Sequence, residues 1–248
     1  MTILVVGATG NTGRPLVEQL LKSNYKVRVI VRSISRLPAA VIENPNLAIT
    51  EANLLDLTDE EIAEHVDGCD AVISCLGHVI NISGIFGKPR KLCTDASRRL
   101  CSAIEKNQLP KPAKFILMNT VAVKNPDLPN HKEKRTLVER GLLMFYRQVL
   151  PPAGDNESAA EYLHTNVGKK NNYIEWCCVR PESLTNAEVS PYEISESPVS
   201  SIFSGLPTAR ANVAQFMTEL VGSEELWNRW KFRMPVIVNS TSSSQKET

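Results

Sequence analysis

No apolar run in this chain approaches the about 18 residues that a bilayer-spanning helix needs, which argues against a membrane span. Charge of one sign is not in excess either. The 28 Lys and Arg offset 27 Asp and Glu to leave a net charge of +1, so there is no electrostatic case for nucleic acid or an anionic membrane surface. Of the six cysteines, none form C-x-x-C and none stand at zinc-ligand spacing from the four histidines, so no metal site is expected. The adjacent Cys177 and Cys178 lie in the apolar run IEWCCV and read as reduced core residues. No leader-like stretch precedes the first apolar segment, which predicts a soluble protein of a reducing compartment, the cytoplasm. Repeats and linkers are missing too. A single domain is expected over residues 1–239, followed by a polar, low-complexity and disordered tail, 240–248.

What is present is a regular alternation. Apolar runs at TILVV, KVRVIV, LAIT, DAVISCL, KFILMN and YIEWCCV predict strands. Helical patterns fall between them, from about Thr12 to Lys22, at TDEEIAEHV and at TDASRRLCSAIEKN. Runs with so little polar alternation suit strands covered on both faces. The expected fold class is therefore α/β, a Rossmann-type doubly wound parallel sheet with helices on both faces. The second half is less regular. KRTLVERGLLMFYRQVL predicts a helix ended by Pro151 and Pro152, and NESAAEYLHTNVG another. A loop-rich stretch runs from Pro181 to Pro207, then a helix at RANVAQFMTELVG and a final strand at MPVIV.

Between the first strand and the first helix stands VVGATGNTGRP, with glycines in the spacing G-x-x-G-x-x-G. Gly7 permits the tight turn out of the strand, Gly10 lets backbone approach a phosphate, and Gly13 allows close packing of helix on sheet. The helix start then offers unpaired N–H groups and partial positive charge to a diphosphate. Thr9, Asn11 and Thr12 put small polar side chains on the same rim. At the tip of the second strand, where an NAD-preferring site carries an acid, stands Arg32, with Arg36 four residues on. A guanidinium suits a 2′-phosphate, so NADP(H) is the expected cofactor.

GATGNTGRPLVEQLL, VRSISR, LLDLTD and DAVISCLG together resemble the atypical short-chain dehydrogenase/reductases, in particular the NmrA-like NAD(P)-binding group. The resemblance continues more loosely through VRPESLTN and TARANVAQFMTELV. It implies that Asn53 sits where the family carries an adenine-contacting Asp, and that Leu54 lines the adenine pocket. It places Leu76 and Gly77 beside the ribose, with His78 facing the cleft. Asn119 and Thr120 would run under the nicotinamide, and Arg180 and Pro181 would close that end. It also exposes a loss: the family's Tyr-x-x-x-Lys frame aligns on AGDNESAAE, with Ala153 at the Tyr position and Glu157 at the Lys position. His78 and Thr120 remain as catalytic candidates, while Tyr146, Tyr162 and His164 read better as structural. Neither His65 nor His131 suggests a ligand.

Two function classes stay open. One is an NADPH-dependent reductase of a small conjugated acceptor such as a quinone or flavin. The other is a non-catalytic sensor of NADPH/NADP⁺ balance that binds a protein partner. An epimerase or dehydratase is weaker, because those reactions usually need the missing pair. Residues 124–155 suit either a lid or a helical docking surface.

Overall fold

A computed structural model describes residues 1–78, 87–128, 136–201 and 203–240. The tail beyond Ser240, His131 and the side chain of Tyr146 lie outside the described residues. The chain runs β1 Thr2–Val6, α1 Gly13–Lys22, β2 Lys26–Val31, α2 Ala39–Ile42, β3 Leu47–Glu51, α3 Asp59–Val66, β4 Ala71–Ser74, α4 Leu92–Asn107 and β5 Ala113–Met118. Then follow α5 Leu137–Val149, α6 Pro151–Tyr162, β6 Ile174–Pro181, β7 Ser183–Thr185, β8 Tyr192–Ser195, β9 Pro207–Ala209, α7 Arg210–Gly222, α8 Glu224–Trp230 and β10 Val236–Asn239. Eight strands form one sheet in the order β3-β2-β1-β4-β5-β6-β10-β8, and β7 pairs with β9 apart from it. Every pairing is parallel except β8 on β10, so the expected parallel sheet carries one antiparallel edge.

The alternation of side chains along each strand divides the core into two layers. Leu4, Val6, Val72, Phe115, Leu117, Trp176 and Cys178 face α3, α4 and α6. Ile3, Val5, Ile73, Ile116, Cys177 and Val179 face α1, α7 and α8. Neighbouring Cys177 and Cys178 thus point into opposite layers, and all six thiols are free. Burial pushes the Cys69 thiol up to about 11 and those of Cys75 and Cys178 up to about 12. Native protein at pH 8 is therefore expected to react slowly with an aromatic disulfide reagent, and to yield six thiols only after denaturation. A single fast native thiol would contradict this.

Register fixes where a site can lie. Ile30 stands beside Val6, Val6 beside Ser74, Ser74 beside Leu117 and Leu117 beside Cys178, so these strands end along one line. The order reverses between β1 and β4, which opens a crevice at their carboxyl ends. Two departures from the sequence pattern matter there. Pro151 and Pro152 end α5 but also begin α6, five residues ahead of the expected start, because a first-turn proline gives up no hydrogen bond. The stretch expected to be loop holds β7 and β8, each too short to show a periodicity.

Candidate functional site

The glycine turn lies at the β1–β4 reversal. Gly7 has φ +78°, and a Cβ there would stand 2.6 Å from the main-chain carbon of Cys75. A Cβ on Gly13 would stand 2.1 Å from the Gly7 carbonyl oxygen, and one on Gly10 3.2 Å from it. The Gly10 amide donates to the Gly7 carbonyl (3.0 Å), closing the turn. No main-chain acceptor among the described residues takes the amides of Asn11, Thr12 or Gly13. The Thr12 side chain is buried and makes no capping hydrogen bond to α1. Bare main chain and uncapped helical amides converge here, as a diphosphate requires. Asn11 is exposed on the rim, and Thr9 is half-buried behind it.

Arg32 and Arg36 are exposed just past β2, and among the described residues neither guanidinium has an ion-pair partner. Two residues that the sequence reading passed over hold their turn in place. Arg14 of α1 donates through Nη2 to the Arg36 carbonyl (3.3 Å), which adds a third cation to the rim. Glu51, in register with Val31, accepts the Ile34 amide at Oε1 (3.1 Å). An acid does stand near the tip of β2, then, but it comes from β3 and binds the turn. Asn53 is exposed and donates through Nδ2 to Asp56 (2.9 Å). Leu54 is buried against the α3–α4 layer. That loop is gripped by Arg99 of α4, whose Nη1 donates to the carbonyls of Leu54 and Leu55 (3.1 Å each) and whose Nε donates to Asp59 (3.1 Å).

The remaining residues gather at the ends of β4 and β5, around the first turns of α6. After β4 the chain passes Cys75, Leu76 and Gly77. A Cβ on Gly77 would meet none of the described residues within 4 Å, so this segment has a side open to them. His78 follows, with its side chain 7% exposed and its Nε2 2.8 Å from Oδ2 of Asp155, a residue of α6 that is fully buried at its side chain. Oδ2 of Asp155 also accepts the Cys93 amide (2.7 Å). Its Oδ1 accepts the Thr94 amide (2.9 Å) and the Thr94 hydroxyl (2.7 Å). Asp155 therefore caps α4, whose own N-cap is Lys91 and supplies no side-chain acceptor. With amide donors on both oxygens the carboxylate is an acceptor throughout. The imidazole must then donate through Nε2–H, which leaves Nδ1 as its available atom.

After β5, Asn119 is buried and donates through Nδ2 to the Asn156 carbonyl (2.9 Å), and its Oδ1 accepts the Thr120 amide (2.9 Å). The half-buried Thr120 accepts the Ala122 amide at its hydroxyl (3.3 Å). On α6, Ala153 is buried and Oε2 of Glu157 accepts the Lys124 amide (3.2 Å). Arg180 is fully buried and donates from Nε to the Met234 carbonyl (2.8 Å), from Nη1 to Val123 (3.0 Å) and from Nη2 to Glu196 (3.2 Å). Its side chain ties loops together, so its place in a binding site is at its main chain. Pro181 ends β6, and its carbonyl accepts the Val121 amide (3.0 Å).

His78, Cys93 and Asp155 place potential metal ligands within 4.8 Å of one another. They do not suit a cation, because both Asp155 oxygens are taken and burial raises the Cys93 thiol well above its ordinary value. Tyr162 and His164, two of the alternative proton donors, are held in contacts of their own. Burial pushes the Tyr162 hydroxyl up to about 12, and the Arg98 guanidinium lies 5.6 Å from its ring centre. His164 pairs with Asp127 (3.0 Å) and packs edge-on against Trp176.

A family model described as NAD(P)H-binding matches residues 7–224. The chain belongs to the NAD(P)H-binding family. A similar protein is an uncharacterised chloroplastic protein of Arabidopsis thaliana, 31% identical over 122 residues. The match covers 49% of this chain and 41% of that protein, so the chain spans less than half of this relative. Solved structures share the fold. A wide-type short-chain dehydrogenase/reductase from Veillonella parvula, in complex with NADP, gives a TM-score of 0.68 at 13% identity, over 96% of this chain and 94% of that one. An anaerobilin reductase from Escherichia coli O157:H7 gives 0.66 at 16% identity, over 96% and 97%. The membership agrees with the resemblance to the atypical dehydrogenase/reductases, and the sheet order is that of NAD(P)-binding Rossmann proteins. No helix among the described residues is long and apolar enough to cross a membrane.

Proposed function

We propose that this member of the NAD(P)H-binding family binds NADP(H) across the β1–β4 crevice and reduces a small conjugated acceptor, a quinone, a flavin or a similar molecule. The observation that carries the reading is the His78–Asp155 pair, which supplies an oriented proton donor where the family's tyrosine is missing. When bound, the nicotinamide supplies the hydride. The chain's own residues hold, orient and protonate. Gly7, Gly10 and Gly13 let the diphosphate reach the amides of residues 11–13, with Thr9, Asn11 and Thr12 on the rim. Arg32 and Arg36 take the 2′-phosphate, with Arg14 behind them. Asn53 and Leu54 serve the adenine end, Leu76 and Gly77 the ribose, and Asn119 with the main chain of Arg180 and Pro181 the nicotinamide end. In its doubly protonated form His78 gives a proton from Nδ1 while Asp155 holds Nε2–H, the neutral imidazole then takes a proton back from solvent, and the Thr120 hydroxyl stands as a second polar contact. Six unpaired thiols suit a reducing compartment such as the cytoplasm.

Loss of NADPH absorbance is the direct test, followed across quinones, flavins and small aldehydes. Turnover above about 1 s⁻¹ is expected with at least one acceptor. His78→Asn is expected to lower kcat about 100-fold with NADPH affinity unchanged. The second reading, a cofactor-sensing regulator, is favoured by Ala153 and Glu157 at the family's Tyr and Lys positions. No turnover, together with a protein retained only when the dinucleotide is present, would establish that reading and overturn the first.

Cofactor choice has its own test. Calorimetry is expected to show NADPH bound more tightly than NADH. Arg32→Ala should narrow that preference by about 1–3 kcal/mol, the range of a charge-assisted contact. Equal affinities in the unaltered protein would remove the assigned phosphate contact.

A further inference from the structure

Helix α5 rests on α6 through a narrow face on which Leu143 and Glu139 are buried. Glu139 closes a capping box with Thr136, whose amide donates to Oε2 (2.7 Å) and whose hydroxyl accepts the Glu139 amide (3.2 Å). To one side of that face lies a second, exposed one. Val138 is 67% exposed, Leu142 45%, Phe145 64% and Val149 49%. Their spacing of four, three and four residues sets all four on one stripe, the seam by which two helices pack side by side. Ser201 donates to Oε1 of Glu139 (2.8 Å), fixing a loop beside the first turn of the helix. That loop carries Val199, 45% exposed, and Phe203, 71% exposed.

Gly141 is a second and independent sign. It lies inside α5, where glycine costs about 1 kcal/mol relative to alanine. A Cβ there would meet nothing within 4 Å, so no contact among the described residues calls for it. Glycine at such a place lets another backbone come close.

We propose that α5 is a homodimer interface, occupied by α5 of a second copy packed antiparallel about a two-fold axis. The stripe is self-complementary under that operation. With the axis between Leu142 and Phe145, Leu142 meets Phe145 of the second copy and Val138 meets its Val149. The area also fits. The six exposed apolar side chains present roughly 600 Å² per copy, against about 500 Å² of apolar surface per side in a homodimer interface of standard size.

Sedimentation velocity of the full chain tests this between about 1 and about 100 µM, a range that brackets micromolar association. A species of twice the 27.4 kDa chain mass is expected. Leu142→Glu combined with Phe145→Glu should raise its dissociation constant at least about 100-fold, with the thermal unfolding transition retained. Monomer throughout the range overturns the proposal. So does a dimer that persists in the folded glutamate variant, since association would then use another face. Should that variant fail to fold, Val138→Cys with Val149→Cys leaves the seam's centre intact. Under copper-phenanthroline oxidation it is expected to form a disulfide-linked dimer, and failure to cross-link overturns the proposal.

Discussion

Gly13→Ala is expected to weaken dinucleotide binding by at least about 100-fold and to lower stability by about 3 kcal/mol, at the upper end of the overpacking range. The new Cβ would stand 2.1 Å from the Gly7 carbonyl oxygen, 2.8 Å from its carbon and 2.9 Å from the Ala8 Cα. All three are main-chain atoms, so no side chain can swing aside. Relief requires α1 to move off the turn, and α1 is anchored by the fully buried Leu16, Val17 and Leu20. Either the helix shifts and unpacks, or the turn deforms and the amides of residues 11–13 no longer converge. Gly77→Ala is the control for stability alone, since its Cβ meets none of the described residues within 4 Å. Calorimetric titration of Gly13→Ala and the unaltered protein with NADPH, and urea unfolding of both variants, make the comparison. Unchanged affinity in Gly13→Ala would mean that the diphosphate is held elsewhere.

Asp155→Ala is expected to lose about 3–5 kcal/mol of stability, because it strands a fully buried set of donors at once. The amides of Cys93 and Thr94 and the His78 imidazole lose their acceptor, while the Thr94 hydroxyl keeps only the main-chain carbonyl of residue 155 (3.0 Å). Asp155→Asn separates structure from chemistry. One side-chain oxygen survives and can still cap α4, but the amide nitrogen cannot accept a second set of donors. Its stability loss should be smaller, about 2 kcal/mol, while kcat falls with that of His78→Asn. The two substitutions combined should then be no worse in kcat than His78→Asn alone, as for residues acting as a unit. Additive losses would show that Asp155 supports the fold without orienting His78.

The glycine turn was legible because its chemistry is local. Positive φ at Gly7, close approach at Gly13 and a helix start are all set within eleven residues, and the structure places them as the spacing requires. The doubly wound sheet was legible because strands buried on both faces leave continuous apolar runs. Asp155 was not. It stands in AGDNESAAE, where alignment drew attention to Ala153 and Glu157, and its partners lie 61 to 77 residues away. No local signal pointed to it: the sequence pattern starts this helix at Thr94, a residue able to cap it, whereas α4 begins at Leu92 after Lys91, which supplies no side-chain acceptor, so the acceptor comes from another segment.

Arg180 and Arg14 show the same limit from opposite sides. Both are arginines close to a predicted site, and nothing local separates them. Folding sends Arg180 into the core, where three carbonyls take its guanidinium. It leaves Arg14 on the rim beside Arg36. Sequence by itself determined the layers, the parallel sheet and the glycine turn, since each depends on periodicity or on backbone freedom within a few neighbours. Only the tertiary structure decided which polar side chains meet. A hydrogen bond needs atoms within about 3 Å, and strand ends dozens of residues apart come that close only after the sheet has set their register.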